Sequence, residues 1–375
     1  MLAYGKMSLE KRTQVSRFGW AMLGFYPSMG VSYMQGTINA LRTANPGITL
    51  SQYVVLNEWY GTATSGTDNY AASLEINANQ WWVYDAAGAR VQWTGAFGNY
   101  ELNLTHWAPT NAAGQRWPQW KAQYDTNVIL KNLKGLDYVF IDNVMFQPRY
   151  DADHMRNGTN QLRTDPVIQS AFRNGYVSYF SALRTLNPTL KLIGNTDSDL
   201  NQAEFKGKLN AGFLECQLGK SWSIETWGGW HAMMARYRAV IANVTNPADV
   251  VFEACGASGP NAAQARYGFA SVLLENGRFA YTAAGVSVPY WADEFGAPLG
   301  TPAEAPPTAA HASGLWMRRY TNGMVLVNPG NSTLSMDVGA GYKHIKGTND
   351  PVVNNGLAVR VVSLPPKSGL VLIKQ

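Results

Sequence analysis

Four apolar runs in the middle of the chain each end in a carboxylate. Residues 136–143 read LDYVFIDN and close on Asp142. Residues 190–197 (LKLIGNTD) rise to Asp197, 211–215 (AGFLE) to Glu215, and 249–253 (DVVFE) to Glu253. A strand buried on both faces reads as a near-continuous apolar run, as the strands of parallel sheets do. An acid at the C-terminal end of such a strand falls where a (β/α)8 barrel gathers its chemistry. The repetition predicts an α/β chain with one carboxylate-lined rim, suited to acid/base work on an uncharged polar substrate.

The rest of the chain supplies the remaining strands and the helices. Residues 18–29 (FGWAMLGFYPSM) read as a first strand, 53–60 (YVVLNEWY) as a second with Glu58 near its end, and 100–107 (YELNLTHW) as a third. The runs ending at Asp142, Asp197, Glu215 and Glu253 are then strands four to seven, and 279–284 (FAYTAA) is the eighth. Helices are predicted over 31–44, 117–133, 166–186, 226–242 and 261–276, the third with Asp165 as N-cap and Pro166 in the first position. Residues 81–93 form a hairpin excursion about the turn Asp85-Ala86-Ala87-Gly88. A Pro/Gly/Ala-rich loop over 285–312 marks a boundary, and beyond it short β runs alternate with turns. The predicted architecture is a (β/α)8 TIM barrel over 1–312, long loop included, with a small all-β sandwich of about six strands over 313–375.

At 375 residues, one barrel of about 250 residues plus a small domain fits the length. Charged residues make up 15%, against roughly 25% in ordinary globular chains, while Trp reaches 13. This texture suits a surface that meets neutral polar matter such as sugars, although most individual aromatics are expected in the core. The net charge of +5 comes without a long Lys/Arg run, so nucleic acid is not an expected partner. There is no secretory h-region near the start and no apolar stretch of ~18 residues. A membrane span is not expected, and a secreted mature form, a phage-encoded protein and a cytoplasmic enzyme all stay open. P-loop, Rossmann and G-x-S-x-G signatures are absent. The five His show no paired zinc spacing, so neither metal nor cofactor is expected. Asp151, Asp153 and His154 read as a solvated loop, and Cys216 and Cys255 as buried free thiols.

Four segments carry a resemblance to a known family: residues 138–143 (YVFIDN), 265–274 (ARYGFASVLL), 291–300 (WADEFGAPLG), and 315–323 (LWMRRYTNG) leading to Val327-Asn328-Pro329. In these the chain resembles the hypothetical glycosyl hydrolase family 15. The resemblance implies a barrel glycosidase with a C-terminal β-sandwich, acting on polysaccharide. The layout is also similar to α-galactosidase-like barrels, with a nucleophile after strand four and an acid after strand six.

Glycoside hydrolysis needs two carboxyl groups about the scissile bond. Asp142 is the candidate nucleophile or base. Glu215 is the candidate general acid, with burial among aromatics expected to raise its pKa. Glu58, Trp59, Trp107, Asn143, Asp197, Trp222, Glu253, Trp291, Asp293 and Glu294 are candidate substrate-binding residues. Trp222 is grouped with Trp227, Trp230 and His231 as a sugar-stacking platform. Two other readings use the same residues differently: a non-catalytic carbohydrate-binding barrel from a surface or phage tail, and a metal-dependent deacetylase.

Overall fold

The computed structural model describes residues 2–95, 97–256, 258–285 and 289–375. Eight parallel strands alternate with helices among them, a TIM-barrel-like core. The chain divides into two compact units, residues 1–212 with 243–245, and residues 213–242 with 246–375.

In the first unit, strands Leu2–Tyr4, Trp20–Gly24, Thr49–Val55, Tyr138–Val144 and Lys191–Thr196 pair in that order, all parallel. The apolar runs end up inside, with Ala21, Leu23, Leu50, Val139, Ile141 and Ile193 essentially free of solvent exposure. The predicted third strand, residues 100–107, is not part of this sheet. Only Asn99–Glu101 is strand, in a small antiparallel ribbon with Glu58–Tyr60 and Gln92–Thr94. Leu2–Tyr4 takes the missing place in the count, a segment of three residues too short for periodicity to reveal. The excursion does turn at Asp85, whose carboxylate accepts the N–H groups of Ala87 and Ala89.

Helices Val31–Ala44 and Pro166–Leu186 form as predicted, and the Asp165 side chain caps the second by accepting the Val167 N–H. The predicted 117–133 helix is α only over Trp117–Tyr124 and continues as a π-helix over Asp125–Leu130. At the junction Lys121 Nζ donates to both oxygens of the fully buried Asp125, which also accepts from Tyr179. Gly175, inside the Pro166–Leu186 helix, lies against the backbone of Leu104. A Cβ there would stand 2.2 Å from the Leu104 carbonyl oxygen, so the position excludes any side chain. Trp59, Trp81, Trp82 and Trp117 are all core residues.

In the second unit, strands Ala211–Leu218, Val251–Gly256 and Arg278–Ala283 run parallel. Helix Ile224–Asn243 is interrupted at Gly229, and helix Ala262–Leu273 is capped by the Asn261 side chain. After residues 285–312, of which 286–288 lie outside the described residues, five strands form one antiparallel sheet. Its order is Trp316–Tyr320, Gly323–Asn328, Ser368–Lys374, Leu334–His344, Ala358–Leu364. Leu315, Met324, Leu326, Met336, Leu370 and Leu372 make its apolar face. Arg318 is buried and donates to the carbonyl oxygens of Leu273 and Glu275, tying the sheet to the end of the preceding helix. No helix among the described residues is long and apolar enough to cross a membrane.

Candidate active site

Asp142 lies where the strand Tyr138–Val144 leaves regular pairing. Ile141 pairs with Gly194 and Val144 with Thr196, so Asp142 and Asn143 together face the single residue Asn195. Asn143 takes a left-handed conformation at φ 52°. A bulge of this kind re-aims side chains near the end of a strand. It is held from behind, because Tyr176 of the long helix donates its hydroxyl to the Asn143 carbonyl oxygen.

The half-buried Asp142 carboxylate is fixed at both oxygens. Oδ2 accepts the Tyr53 hydroxyl at 2.6 Å, and Oδ1 accepts Asn195 Nδ2 at 2.8 Å and the Asn143 N–H at 2.9 Å. Each donor comes from a neighbouring parallel strand or from the bulge itself. A carboxylate so held has one orientation while the residue stays partly exposed.

Beside it stands a charged trio. Arg149 Nη1 donates to Glu58 Oε2 at 2.9 Å and to Glu101 Oε1 at 2.6 Å, and both carboxyl groups are buried. The guanidinium also lies over the Trp93 ring, 4.4 Å from its centroid. One cation between two buried acids leaves the cluster short of positive charge. Burial, opposed by Arg149, pushes the Glu101 carboxyl up to about 7. Glu58 moves up as well, again by burial against the pull of Arg149 and Asn99. Asn143 Nδ2 reaches Glu58 Oε2 at 3.5 Å, a long contact that joins the trio to the Asp142 bulge. Asp197 is exposed, and its carboxylate accepts the Phe146 N–H in the loop that carries Arg149.

In the second unit Glu253 is buried. Thr282 donates its hydroxyl to Oε1 at 2.6 Å and the Cys216 N–H reaches Oε2 at 3.3 Å. Burial holds its carboxyl above the ordinary range, and the neighbouring Glu215 adds to the rise. Phe252 pairs with Leu214 and Ala254 with Leu218, so residues 215–217 face Glu253 alone. Cys216 in this bulge is left-handed, at φ 42°. Cys216 and Cys255 are joined as a disulfide, not held as free thiols. Glu215 is exposed, so the burial expected for it belongs instead to Glu253.

The aromatic platform divides. Trp222 and Trp227 are 56% and 70% exposed, whereas Trp230 is buried, donates to Ser271 Oγ and packs on Trp316. Trp59 is buried against Trp117 and Tyr124. Trp107 is half-buried with its ring 4.0 Å from that of His106. Asp293 accepts the N–H groups of Thr348 and Asn349 and the Asn354 amide, and Glu294 is paired with Arg266 and Asn354. These two carboxylates, with the Trp291 carbonyl oxygen on Asn349, fasten residues 348–354. Asp151 and Asp153 accept the N–H groups of Arg163, Asn157 and Gly158 in a hydrogen-bonded loop in which Asp151 and residues 157–160 are exposed, while His154 is buried and not solvated as expected. Sequence reasoning missed Tyr53, Asn195, Glu101 and Arg149. Asn195 sits in the run read as the strand next to that of Asp142, whereas Tyr53 sits in a run read as separated from it by residues 100–107, which leave the sheet and let the two strands pair.

Residues 42–324 match the family described as Hypothetical glycosyl hydrolase family 15. Among solved structures, an α-amylase from Anoxybacillus aligns at 10% identity over 98% of this chain and 88% of that one, with a TM-score of 0.51. An α-amylase from Lactobacillus plantarum aligns at 10% identity over 95% and 90%, with a TM-score of 0.51. The glycoside hydrolase domain of PelA from Pseudomonas aeruginosa aligns at 15% identity over 76% and 93%, with a TM-score of 0.47. The α-amylase likenesses are of fold. No curated protein matches the chain.

Proposed function

The chain belongs to hypothetical glycosyl hydrolase family 15 and is a glycosidase-type enzyme, and from that premise we propose that it cleaves a microbial polysaccharide by carboxylate acid/base chemistry. Asp142 is the nucleophile or base and Glu215 the general acid. In this reading residues 1–312 are the catalytic (β/α)8 barrel and 313–375 a small all-β domain. Asn143, Asp197 and the exposed Trp222 meet the sugar.

The observation that carries the reading is the three-donor cradle of Asp142. Tyr53 and Asn195 keep the carboxylate turned to one side while the anomeric carbon changes charge, and preorganised groups of this kind need no rearrangement in the transition state. Glu215 supports it more weakly, as an exposed carboxyl whose neighbour Glu253 is a buried acid.

The test is release of reducing ends from a panel of cell-wall and capsular polysaccharides. The wild type should turn over at least one of them. Asp142→Asn should lose about 10²–10⁴ in rate with its circular dichroism unchanged. Glu215→Gln should fail on the polymer yet keep most of its rate on an aryl glycoside whose leaving group needs no proton. Full activity in Asp142→Asn would end the assignment.

A further inference from the structure

Cys216, Cys255 and Glu253 form one buried cluster of metal-binding atom types, with ligand atoms all within 4.8 Å of one another. Glu253 Oε2 lies 3.7 Å from the Cys216 sulfur and 3.6 Å from the Cys255 sulfur. In a tetrahedral zinc site, with Zn–S of ~2.3 Å and Zn–O of ~2.0–2.2 Å, a sulfur–oxygen edge is ~3.6 Å. Two of the three edges therefore already have the length a metal would set. The third is the sulfur–sulfur edge, now a covalent bond, which in such a site opens to ~3.8 Å.

The surroundings also suit a ligand set. The Thr282 hydroxyl holds the other oxygen of Glu253, the kind of outer contact that orients a ligating carboxylate. Two thiolates and a carboxylate buried together would carry three negative charges, and a divalent cation offsets two of them. Without the cation, burial keeps such groups protonated.

We propose that Cys216, Cys255 and Glu253 are a redox-gated metal site, closed by the disulfide when oxidised and binding one thiophilic divalent cation of the zinc class when reduced. A dithiol donor supplies two electrons and two protons and becomes its own disulfide. The Cys216–Cys255 bond breaks and two S–H groups form. On metal binding each thiol gives its proton to solvent and forms a sulfur–metal bond, and the Glu253 carboxyl likewise releases its proton to solvent and binds through Oε2 as its carboxylate.

Cobalt(II) is the probe, because a tetrahedral cobalt–thiolate centre shows a sulfur-to-metal charge-transfer band. One preparation of the full chain is divided. Half is reduced with a phosphine, which leaves as its oxide, and both halves are titrated without oxygen. The reduced half should take up one equivalent with the charge-transfer band, and the oxidised half none. Reduced Glu253→Gln should bind at least about tenfold more weakly, and Thr282→Val about 10-fold more weakly through loss of the outer contact. The proposal is overturned by the absence of the band in reduced wild type, or by equal uptake in the oxidised half. An undiminished band in the Cys216→Ser/Cys255→Ser double variant overturns it too. So does unfolding of the reduced chain in the presence of cobalt, read by circular dichroism, since a built site would hold the strands.

Discussion

Two bulges, one carrying Asp142 and one facing Glu253, hold these carboxylates in opposite ways. At Asp142 the bulge turns on a left-handed Asn143, and neutral donors from Tyr53, Asn195 and the backbone fix the acid. At Glu253 the facing bulge turns on a left-handed Cys216, and a covalent bridge to Cys255 fixes the strands while the acid is sealed in. The first arrangement leaves a carboxylate half-open to solvent. The second keeps one away from water. The same backbone irregularity thus serves presentation in one place and enclosure in the other, and what decides is the polarity of the residues packed around it.

The comparison can be pressed hardest beside Asp142. Arg149→Met leaves Glu58 and Glu101 buried with no cation, and removing one partner of a buried pair costs about 3–5 kcal/mol. The loss should be seen in urea denaturation at pH 8. It should shrink at pH 5, where carboxyl groups with raised pKa values carry protons. An equal loss at both values would mean that the trio matters for packing and not for charge.

The next effect belongs to the other bulge. Replacing both Cys216 and Cys255 by Ser opens a bridge that spans 39 positions, and such a loss typically costs about 2–4 kcal/mol. A drop in denaturation midpoint without a change in slope would confirm that the bridge acts on stability. No drop would mean that the Cys216 backbone is held by Glu253 and Ser223 alone.

Tyr53→Phe removes one donor from Asp142 without altering the ring. A hydrogen bond to a charged group is worth about 1.5–3 kcal/mol, so the rate on a polysaccharide substrate should fall roughly 10–100-fold with KM little changed. An effect on KM alone would reassign Tyr53 to substrate binding.

The smallest effect is a slope. The folded Glu253 carboxyl is raised above its ordinary value, so the folded state holds the extra proton as pH rises through the usual carboxyl range. Its contribution is harmless at acid pH, and stability declines as pH climbs from the unfolded value toward the folded one. Glu253→Gln should flatten that decline between pH 4 and pH 8 in thermal melts. A steeper decline would show that the ionised form is the one the fold favours.

Much of this was legible from the sequence, unevenly. The strands that carry Asp142 and Glu253 were visible because burial on both faces makes a long apolar run, although they continue to Val144 and Gly256 beyond the acids. The helix from Pro166 to Leu186 was visible through its cap and period. Residues 100–107 misled because alternation fits a ribbon as well as a barrel strand, and Leu2–Tyr4 offered too few residues to show any pattern. At the site, the acid at a strand end was legible, but its donors were not, since register is a tertiary property. Asp293 and Glu294 looked like cleft residues because a long loop carries them, and their backbone partners over 348–350 lie more than fifty positions away. The disulfide was missed for the same reason, as spacing alone says nothing of which strands adjoin.

The close seat of Leu104 on Gly175 has a practical reach. The excursion that leaves the parallel sheet after Val55 is clamped at Leu104 by its backbone against a helix with no room for a methyl group. Chimaeras that exchange this excursion between related chains therefore have to carry Glu58 and Glu101 with their partner Arg149. They also have to keep the close pair of residue 104 and the glycine at 175, where no methyl group fits.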